Sequence, residues 1–359
     1  MLPIEPKQRL DARSTAEMTV EELSRLKAAL ESSKTIGRYE YENRPKRGNL
    51  VFRFVPLLLL YMLLESRATT YRGAVRNLSD QDCVFLGLVD RKGRPKRPSY
   101  ATLNGFVNRR LPKIMDSIGS EIVAVMLAMC PKLIITIDST PAQASRYNYD
   151  ADYSPYYEIR MDKCHILMVN GYPLFMIQSS GNAHDNPFAE PLIRMLAGHD
   201  ISGKEIEIYV DGGYDAFLTY AVAYMITGAV MRSNQGTDAA YSGVDGKKIM
   251  DAYAGMWKTK GFDPHKKRDI DFMLRFLFRN GEQELVGKYL RDRSMDLEKE
   301  EGRPTVRFVC ETMHRSMKRW IELNIFRIRK ATKALRMRCR FLCVQLLSVL
   351  FVGYLDAKA

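Results

Sequence analysis

Tryptophan and histidine are scarce in this chain, with two and five copies among 359 residues, and its six cysteines form no pattern. Cys83, Cys130, Cys164, Cys310, Cys339 and Cys343 include no CxxC pair and no Cys/His run at zinc spacing, which excludes a zinc finger or ribbon. Scattered thiols in a chain of this length also exclude a small disulfide scaffold, so reduced cysteines and a cytoplasmic setting are expected. Long apolar runs are missing too. The uncharged stretch Phe341 to Leu355 spans 15 residues against the roughly 18 to 20 that a bilayer-crossing helix needs. It is expected to be a buried helix, as is Phe54 to Leu64, and no membrane partner is expected. The opening residues are polar and charged, so no secretory leader is expected. No internal repeat and no low-complexity tract is present, which excludes a solenoid and a chain disordered throughout.

What is present is a core-forming composition, 46% hydrophobic and 27% charged, in a length that leaves room for a catalytic-sized core and an accessory domain. Fifty-five Lys and Arg against 42 Asp and Glu give a net charge of +13, which favours polyanions such as nucleic acid. That charge is concentrated. Residues 91–113 carry eight basic and no acidic side chains, and residues 303–340 carry twelve basic side chains against Glu311 and Glu322. The rest of the chain is net negative.

Residues 1–125 read as a helical N-terminal DNA-binding region. Leu23, Leu26 and Leu30 space a short amphipathic helix, which a turn-rich stretch around Gly37 closes. Arg44 to Gly48 has linker composition, and helices over Val51–Leu64, Tyr71–Leu78 and Asp82–Leu86 follow. Arg91 to Pro98 is a basic loop, carrying Lys96 and Arg97, that proline and glycine keep from being helical. Ser99 is placed to cap a helix through Leu103, Phe106, Val107 and Leu111, with Arg109 and Arg110 exposed. Short helices joined by a basic loop resemble a helix-turn-helix reader of DNA, and an ordinary helical bundle fits the same pattern.

From residue 126 the period changes. Leu133 to Asp138 is a β-branched run that reads as a buried strand. Cys164–Asn170 and Pro173–Ser179 read as two further strands joined at Gly171-Tyr172. A helix from Asn186-Pro187 to about Leu196, a strand over Glu205–Val210 ending at Asp211-Gly212-Gly213, a helix over Tyr214–Ile226 and a strand over Gly228–Met231 complete residues 126–232. Three strands, a helix, a strand, a helix and a strand make a mixed α/β sheet with flanking helices, the order of the ribonuclease H-like fold. Residues 233–302 are polar and broken by Gly236, Gly243, Gly246 and Gly261 before a helix around Asp269–Phe278, so they read as an insertion. Within it Tyr253 and Trp257 are candidates to stack on a flipped base, with a buried structural Trp as the alternative. Residues 303–359 complete the core with a helix from Pro304 to at least Arg329 and a C-terminal helix.

Three acids in this arrangement carry the chemistry: Asp138 at the end of the first strand, Asp211 at the end of the fourth and Glu311 on the long helix. Neighbouring first and fourth strands would set the aspartates side by side, and a helix across that edge would add the third carboxylate. Hard oxygen ligands without thiolates suit Mg²⁺ or Mn²⁺. Two such ions about 4 Å apart activate a water or 3′-hydroxyl and stabilise the leaving oxygen of a phosphodiester. Each acid also has a plain structural explanation. Asp138-Ser139-Thr140-Pro141 fits a strand-to-helix turn capped by Thr140, Asp211-Gly212-Gly213 fits a turn, and Glu311 fits a helix ion pair worth about 0.5 kcal/mol. Arg307, Glu311 and Lys318 fall on one helical stripe with His314 and Arg315 beside it, an arrangement suited to a metal held next to a phosphate backbone.

With these residues in order, the sequence resembles a DDE transposase of the insertion-sequence kind. The matching pieces are Ile137-Asp138-Ser139-Thr140, Gly181-Asn182-Ala183-His184-Asp185, Val210-Asp211-Gly212-Gly213-Tyr214-Asp215, and Arg307, Glu311 and Lys318. The last set is similar to the family's Tyr-Arg-Glu-Lys signature, with Pro304 where the family has tyrosine. Upstream, Tyr71-Arg72 and Ser99 to Leu103 look like the helical N-terminal region of these enzymes. The resemblance implies a ribonuclease H-like catalytic core with Asp138, Asp211 and Glu311 as catalytic metal ligands. It also implies Arg307, Arg315 and Lys318 near DNA, His184 and Asp185 near the site, and a homodimer or larger homo-oligomer on double-stranded DNA. The implied reaction is cleavage at the ends of a mobile element followed by attack of the freed 3′-hydroxyl on target DNA, in the cytoplasm of a prokaryotic host. A nuclease or resolvase that cuts without joining, and an inactive DNA-binding relative, are the alternatives.

Overall fold

The computed structural model describes residues 20–43, 52–66, 70–144, 151–233, 246–301, 308–311, 314 and 330–351. Its N-terminal part is helical. Helix α1 (Val20–Glu31) buries Leu23, Leu26 and Leu30, the three-four stripe of its sequence. The turn expected around Gly37 is helix instead: α2 (Lys34–Glu42) begins where the Ser33 hydroxyl accepts the Ile36 N–H, and it buries Ile36 and Tyr39. A good cap and a buried stripe outweigh the roughly 1 kcal/mol that one glycine costs a helix. Helix α3 (Phe54–Ser66) is apolar all round and buried all round, with Phe54, Leu57, Leu58, Tyr61 and Met62 fully covered.

Two short helices follow, α4 (Tyr71–Arg76) and α5 (Asp80–Leu86), the second opened by a Ser79/Asp82 capping box and closed by Gly87 at φ 83°. Helix α6 (Tyr100–Gly105) starts at the expected Ser99 cap, where Oγ accepts the Thr102 N–H at 3.0 Å. It passes into a π turn over Phe106–Arg110 and a 3-10 turn over Leu111–Lys113, where Pro112 withholds a donor. Helix α7 (Met115–Met129) leads into the sheet. The connection between α5 and α6 takes the whole Gly87–Ser99 stretch, longer than the roughly three to four residues of a helix-turn-helix, whereas α4 and α5 are joined by three, Asn77 to Ser79. The basic loop is a pinned structure, in which Asp90 accepts the backbone N–H groups of Lys92 and Arg94 at 2.8 and 3.0 Å.

The sheet is mixed and open. Its strands are β1 (Lys132–Gln143), β2 (Asp152–Ser154), β3 (Ile159–Val169), β4 (Tyr172–Ser180), β5 (Glu205–Val210) and β6 (Met231–Ser233). The order is β2-β3-β1-β5-β6, with β4 also on β3; β1, β3 and β4 are antiparallel neighbours, and β5 and β6 run parallel to β1. Asn170 and Gly171 both have positive φ, 51° and 86°, which lets them close the β3–β4 hairpin with the twist that a two-residue turn needs. Helix α8 (Asn186–Leu196) carries the chain from β4 towards β5, and α9 (Phe217–Thr227) is the right-length crossover from β5 to β6.

Two expectations change here. Strand β1 continues past Asp138, pairing with β3 as far as Gln143↔Met161, so Thr140 lies in a ladder opposite Cys164 and caps no helix. Pro141 is tolerated because β1 has already outrun its β5 neighbour, whose pairing stops at Ile137↔Val210, and no donor is needed on that side. The last strand is Met231–Ser233, slightly later than expected.

Alternation along the strands divides the core in two. Ile135, Ile137, Leu167, Val169, Ile208 and Val210 face one apolar cluster with α8 and α9. Ala142, Cys164, Ile166 and Met168 face the other with the N-terminal helices and α13 (Lys330–Phe351). Phe341 to Leu347 is the buried helical stretch expected of that sequence. Buried ion pairs Lys333–Asp162 and Arg340–Glu65, the latter at 2.9 Å, fix α13 to β3 and α3.

Residues 233–302 hold more structure than their glycines suggest. Helices α10 (Gly246–Lys258), α11 (Lys267–Arg279) and α12 (Gln283–Glu301) join the α9 side of the core, and Gly246 opens a helix where a turn was expected. Gly236 and Gly243 lie outside the described residues, as does most of the stretch expected to be a long helix from Pro304 to Arg329; Phe308 to Glu311 and His314 are helical. Among the described residues no helix is long and apolar enough to cross a membrane.

Candidate active site

Ile137 and Val210 are the last registered pair between β1 and β5, and Asp138 and Asp211 are the residues that follow them. Neighbouring strands lie about 4.8 Å apart, so the two aspartates stand at one level of the sheet. Alternation puts Thr136 and Asp138 on the same face as Tyr209 and Asp211. Both aspartates are half-buried.

The helical residues 308–311 and 314 pack on that face. Cys310 is buried against Ile134 and Tyr209, with Val309 beside it. His314 is buried too, its Nε2 3.2 Å from the Thr136 hydroxyl. Glu311 is exposed. The Cys310 thiol is held protonated first by burial, then by the charges of Asp138, Asp211 and Glu311. Three carboxylates from three separate elements therefore act on one sulfur atom.

A cleft of about 920 Å³ opens beside the end of β5, walled by the turn after β2, Lys163 on β3, Gly181 to Pro187 and the Gly212–Asp215 segment. Asp185 organises its floor. Its carboxylate accepts from Lys163 Nζ at 3.0 Å and from Ser139 Oγ at 3.3 Å, and a Cβ on Gly213 would lie 3.2 Å from it. Lys163 also donates to the Ala183 carbonyl at 2.9 Å. Behind them His165 is fully buried, 2.9 Å from Tyr214 Oη and 2.8 Å from Ser179 Oγ, and stacked on Phe188 at 4.0 Å. Burial, and then the charges of Asp185 and Asp138, hold the Tyr214 phenol well above its ordinary pKa. His184 is exposed at the cleft wall. After Asp211 the chain makes a 3-10 turn over Gly212–Tyr214 and reaches Asp215, which Arg291 of α12 grips in a buried two-pronged pair at 2.8 and 3.0 Å.

The expected DNA-contacting residues divide. Arg109 is exposed. Arg110, expected exposed, is half-buried: it donates to the Phe52 carbonyl at 2.8 Å and lies over the rings of Phe54 and Phe106. Lys96 lies over the Phe52 ring and Arg97 pairs with Asp80 at 3.2 Å, both on the surface. Arg307, Arg315 and Lys318 lie outside the described residues. Trp257 is half-buried, edge-on to Phe262, Phe272 and Phe276. Lys163, His165 and Arg291 were not picked out from the sequence. The signal for the first two is polarity inside an apolar strand, in Asp162-Lys163-Cys164-His165; Arg291 has no local signal, because its partner is far away in the chain.

The donor set at Asp138, Asp211 and Glu311 is all carboxylate oxygen, and Cys310 is kept as a thiol beside it, which suits a hard divalent cation and not a thiophilic one. Among the described residues no three His, Cys, Asp or Glu side chains are drawn together as a formed metal cluster. No protein-family model matches the chain, and no curated protein and no solved structure is significantly similar to it.

Proposed function

We propose that the chain is a DNA transposase of the DDE kind, with a ribonuclease H-like catalytic core that cuts the ends of a mobile element and joins them to target DNA. One observation carries this reading: Asp138 and Asp211 follow the last residue pair of two neighbouring parallel strands, and the helical segment bearing Glu311 packs on the face they share. The sheet supports it, since beside the short β2 it has antiparallel β1, β3 and β4 followed by parallel β5 and β6, with a helix before each of the last two, which is the ribonuclease H-like order.

Asp138, Asp211 and Glu311 would hold Mg²⁺ or Mn²⁺, two ions in the full site, and a cation there supplies an activated oxygen nucleophile and a stabilised leaving oxygen. The chain's own residues do the rest. The β1–β5 ladder fixes the two aspartates against each other, and the buried Cys310 and His314 anchor the Glu311 segment to the sheet. Lys163, Ser139 and Asp185 stiffen the neighbouring wall. Arg109, Lys96 and Arg97, with Arg307, Arg315 and Lys318 and the half-buried Arg110, contact phosphates of double-stranded DNA. The chain works as a homodimer or larger homo-oligomer in the cytoplasm, on the chromosome of a prokaryotic host.

Single substitutions test the assignment. Asp138→Ala, Asp211→Ala and Glu311→Ala are each expected to abolish cleavage of element-end DNA while mobility-shift binding stays within about twofold of the parent, because none is a phosphate contact. Retained cleavage in any of the three removes that residue from the site.

A further inference from the structure

We propose that Asp185 is a positioning residue: its carboxylate ties the end of the β1–β5 ladder to the turn after β5, and so holds Asp138 and Asp211 where one divalent cation can use both. The proposal rests on the reading of those two aspartates as metal ligands and adds what keeps them in place.

The ladder alone does not hold them. Registered pairing of β1 with β5 stops at Ile137↔Val210, so both aspartates lie one residue past it. Asp138 stays in register with β3, opposite Ile166, whereas Asp211 is outside any strand, at the head of the 3-10 turn over Gly212–Tyr214. Something beyond the strands must fix that turn against β1.

Asp185 stands where a helix cap belongs and does not cap. It directly precedes α8, yet its side chain accepts no N–H of that helix, although aspartate is among the most favoured residues for that task. Its two oxygens reach across the cleft floor instead. Oδ1 accepts from Lys163 Nζ at 3.0 Å and Oδ2 from the Ser139 hydroxyl at 3.3 Å. Ser139 is the link to the first aspartate, because its backbone N–H donates to Asp138 Oδ1 at 2.8 Å. Gly213 is the link to the second. A Cβ there would lie 3.2 Å from Asp185 Oδ2, so the turn that starts at Asp211 rests directly against the same carboxylate. Tyr214 gives that turn a second hold, its Oη 2.9 Å from Nδ1 of His165, on the strand that also carries Lys163. Both Asp185 oxygens already serve donors of the chain, which fits a group that positions the ligands and does not itself bind the cation.

The test titrates Mn²⁺ into the full chain, with free ion read by electron paramagnetic resonance. Asp185→Ala is expected to weaken Mn²⁺ binding about tenfold or more, the usual cost of losing a group that orients metal ligands. Asp185→Asn is expected to stay within about threefold of the parent, because the amide keeps an acceptor for Lys163 and a donor for the Ser139 oxygen. Ser139→Ala is expected to weaken binding by a smaller factor than Asp185→Ala, and the double variant to bind no more weakly than Asp185→Ala alone, since both changes break one tie. Parent-like binding in Asp185→Ala overturns the proposal. So does an Asn variant as weak as the Ala variant, which would make the charge and not the tie the working part, and so do losses that multiply in the double variant. Where circular dichroism shows Asp185→Ala unfolded, the two milder variants decide: parent-like binding in Ser139→Ala, or a loss of about tenfold in Asp185→Asn, overturns it. A parent chain that binds Mn²⁺, loses it in Asp211→Ala and yet cuts no DNA contradicts the transposase reading and leaves the tie standing. A parent chain that binds no Mn²⁺ removes the metal centre and the proposal with it.

Discussion

His165 is fully buried with two neutral hydrogen-bond partners, so the folded chain keeps it uncharged. Burial lowers its pKa to about 4; the nearby Lys163 lowers it and Asp185 opposes the shift. In the unfolded chain the same imidazole titrates near 6.5. Between about pH 6.5 and 4 the unfolded state therefore binds a proton that the folded state refuses, and stability falls as the pH falls through that window. The contribution is on the order of 3 kcal/mol at full effect. Urea unfolding at a series of pH values is expected to show this loss in the parent and a flatter profile in His165→Gln; an identical profile in the two assigns the pH dependence elsewhere. The strand that carries His165 was legible in the sequence from its apolar run. The role of the side chain was not, because Tyr214 and Phe188 come to it from other elements, while His184, adjacent to Asp185 in sequence, is exposed.

Helices α9 and α12 meet where only glycine fits. A Cβ on Gly287 would come 2.0 Å from the Phe217 carbonyl oxygen, so Gly287→Ala must push α12 away and is expected to destabilise the chain by about 1–3 kcal/mol. Arg291, one turn further along α12, is nearly enclosed and paired with the equally enclosed Asp215. Arg291→Ala leaves that carboxylate buried without its counter-charge and is expected to cost about 3–5 kcal/mol in chemical denaturation. Because Asp215 ends the segment that begins at Asp211, cleavage should fall in Arg291→Ala even at temperatures where the chain stays folded. A loss below about 1 kcal/mol would contradict the pair's role as the link between α12 and the cleft. This link was hidden in the sequence, where the glycines between 236 and 261 suggest turns and the polar faces of α10 to α12 hide a narrow apolar stripe. The sheet was far more legible, since β-branched runs and the Asn170-Gly171 turn are local signals. The reach of β1 beyond Asp138 was not, because pairing with β3 sustains it through a Thr-Pro sequence that alone suggests a break.

At the scale of the whole molecule, both basic stretches give part of their charge to contacts within the chain. In the C-terminal one, among the described residues, Lys333 pairs with Asp162, Arg338 with Asp116 and Arg340 with Glu65, and Arg336 lies over the Tyr71 ring at 4.8 Å. These charges hold α13 on the body, so Arg340→Met is expected to lower stability and leave the salt dependence of DNA binding unchanged. Lys318→Ala, by contrast, is expected to weaken DNA binding and reduce the slope of log K against log salt by about 1, as the loss of one phosphate contact does. An unchanged slope returns Lys318 to a solvated face. The net positive charge was evident from composition alone; which cations face outward depends on where the acids fall in space. The central claim is that Asp138, Asp211 and Glu311 form one centre for cutting and joining DNA. It is tested most directly by incubating the chain with Mg²⁺, the DNA that flanks its own gene as the element ends and a supercoiled plasmid as target, then sequencing the products. The expected result is element ends joined to plasmid through their 3′ strands with short target duplications, absent with Asp211→Ala. Ends that are cut and never joined, or plasmid products that persist in Asp211→Ala, would contradict it.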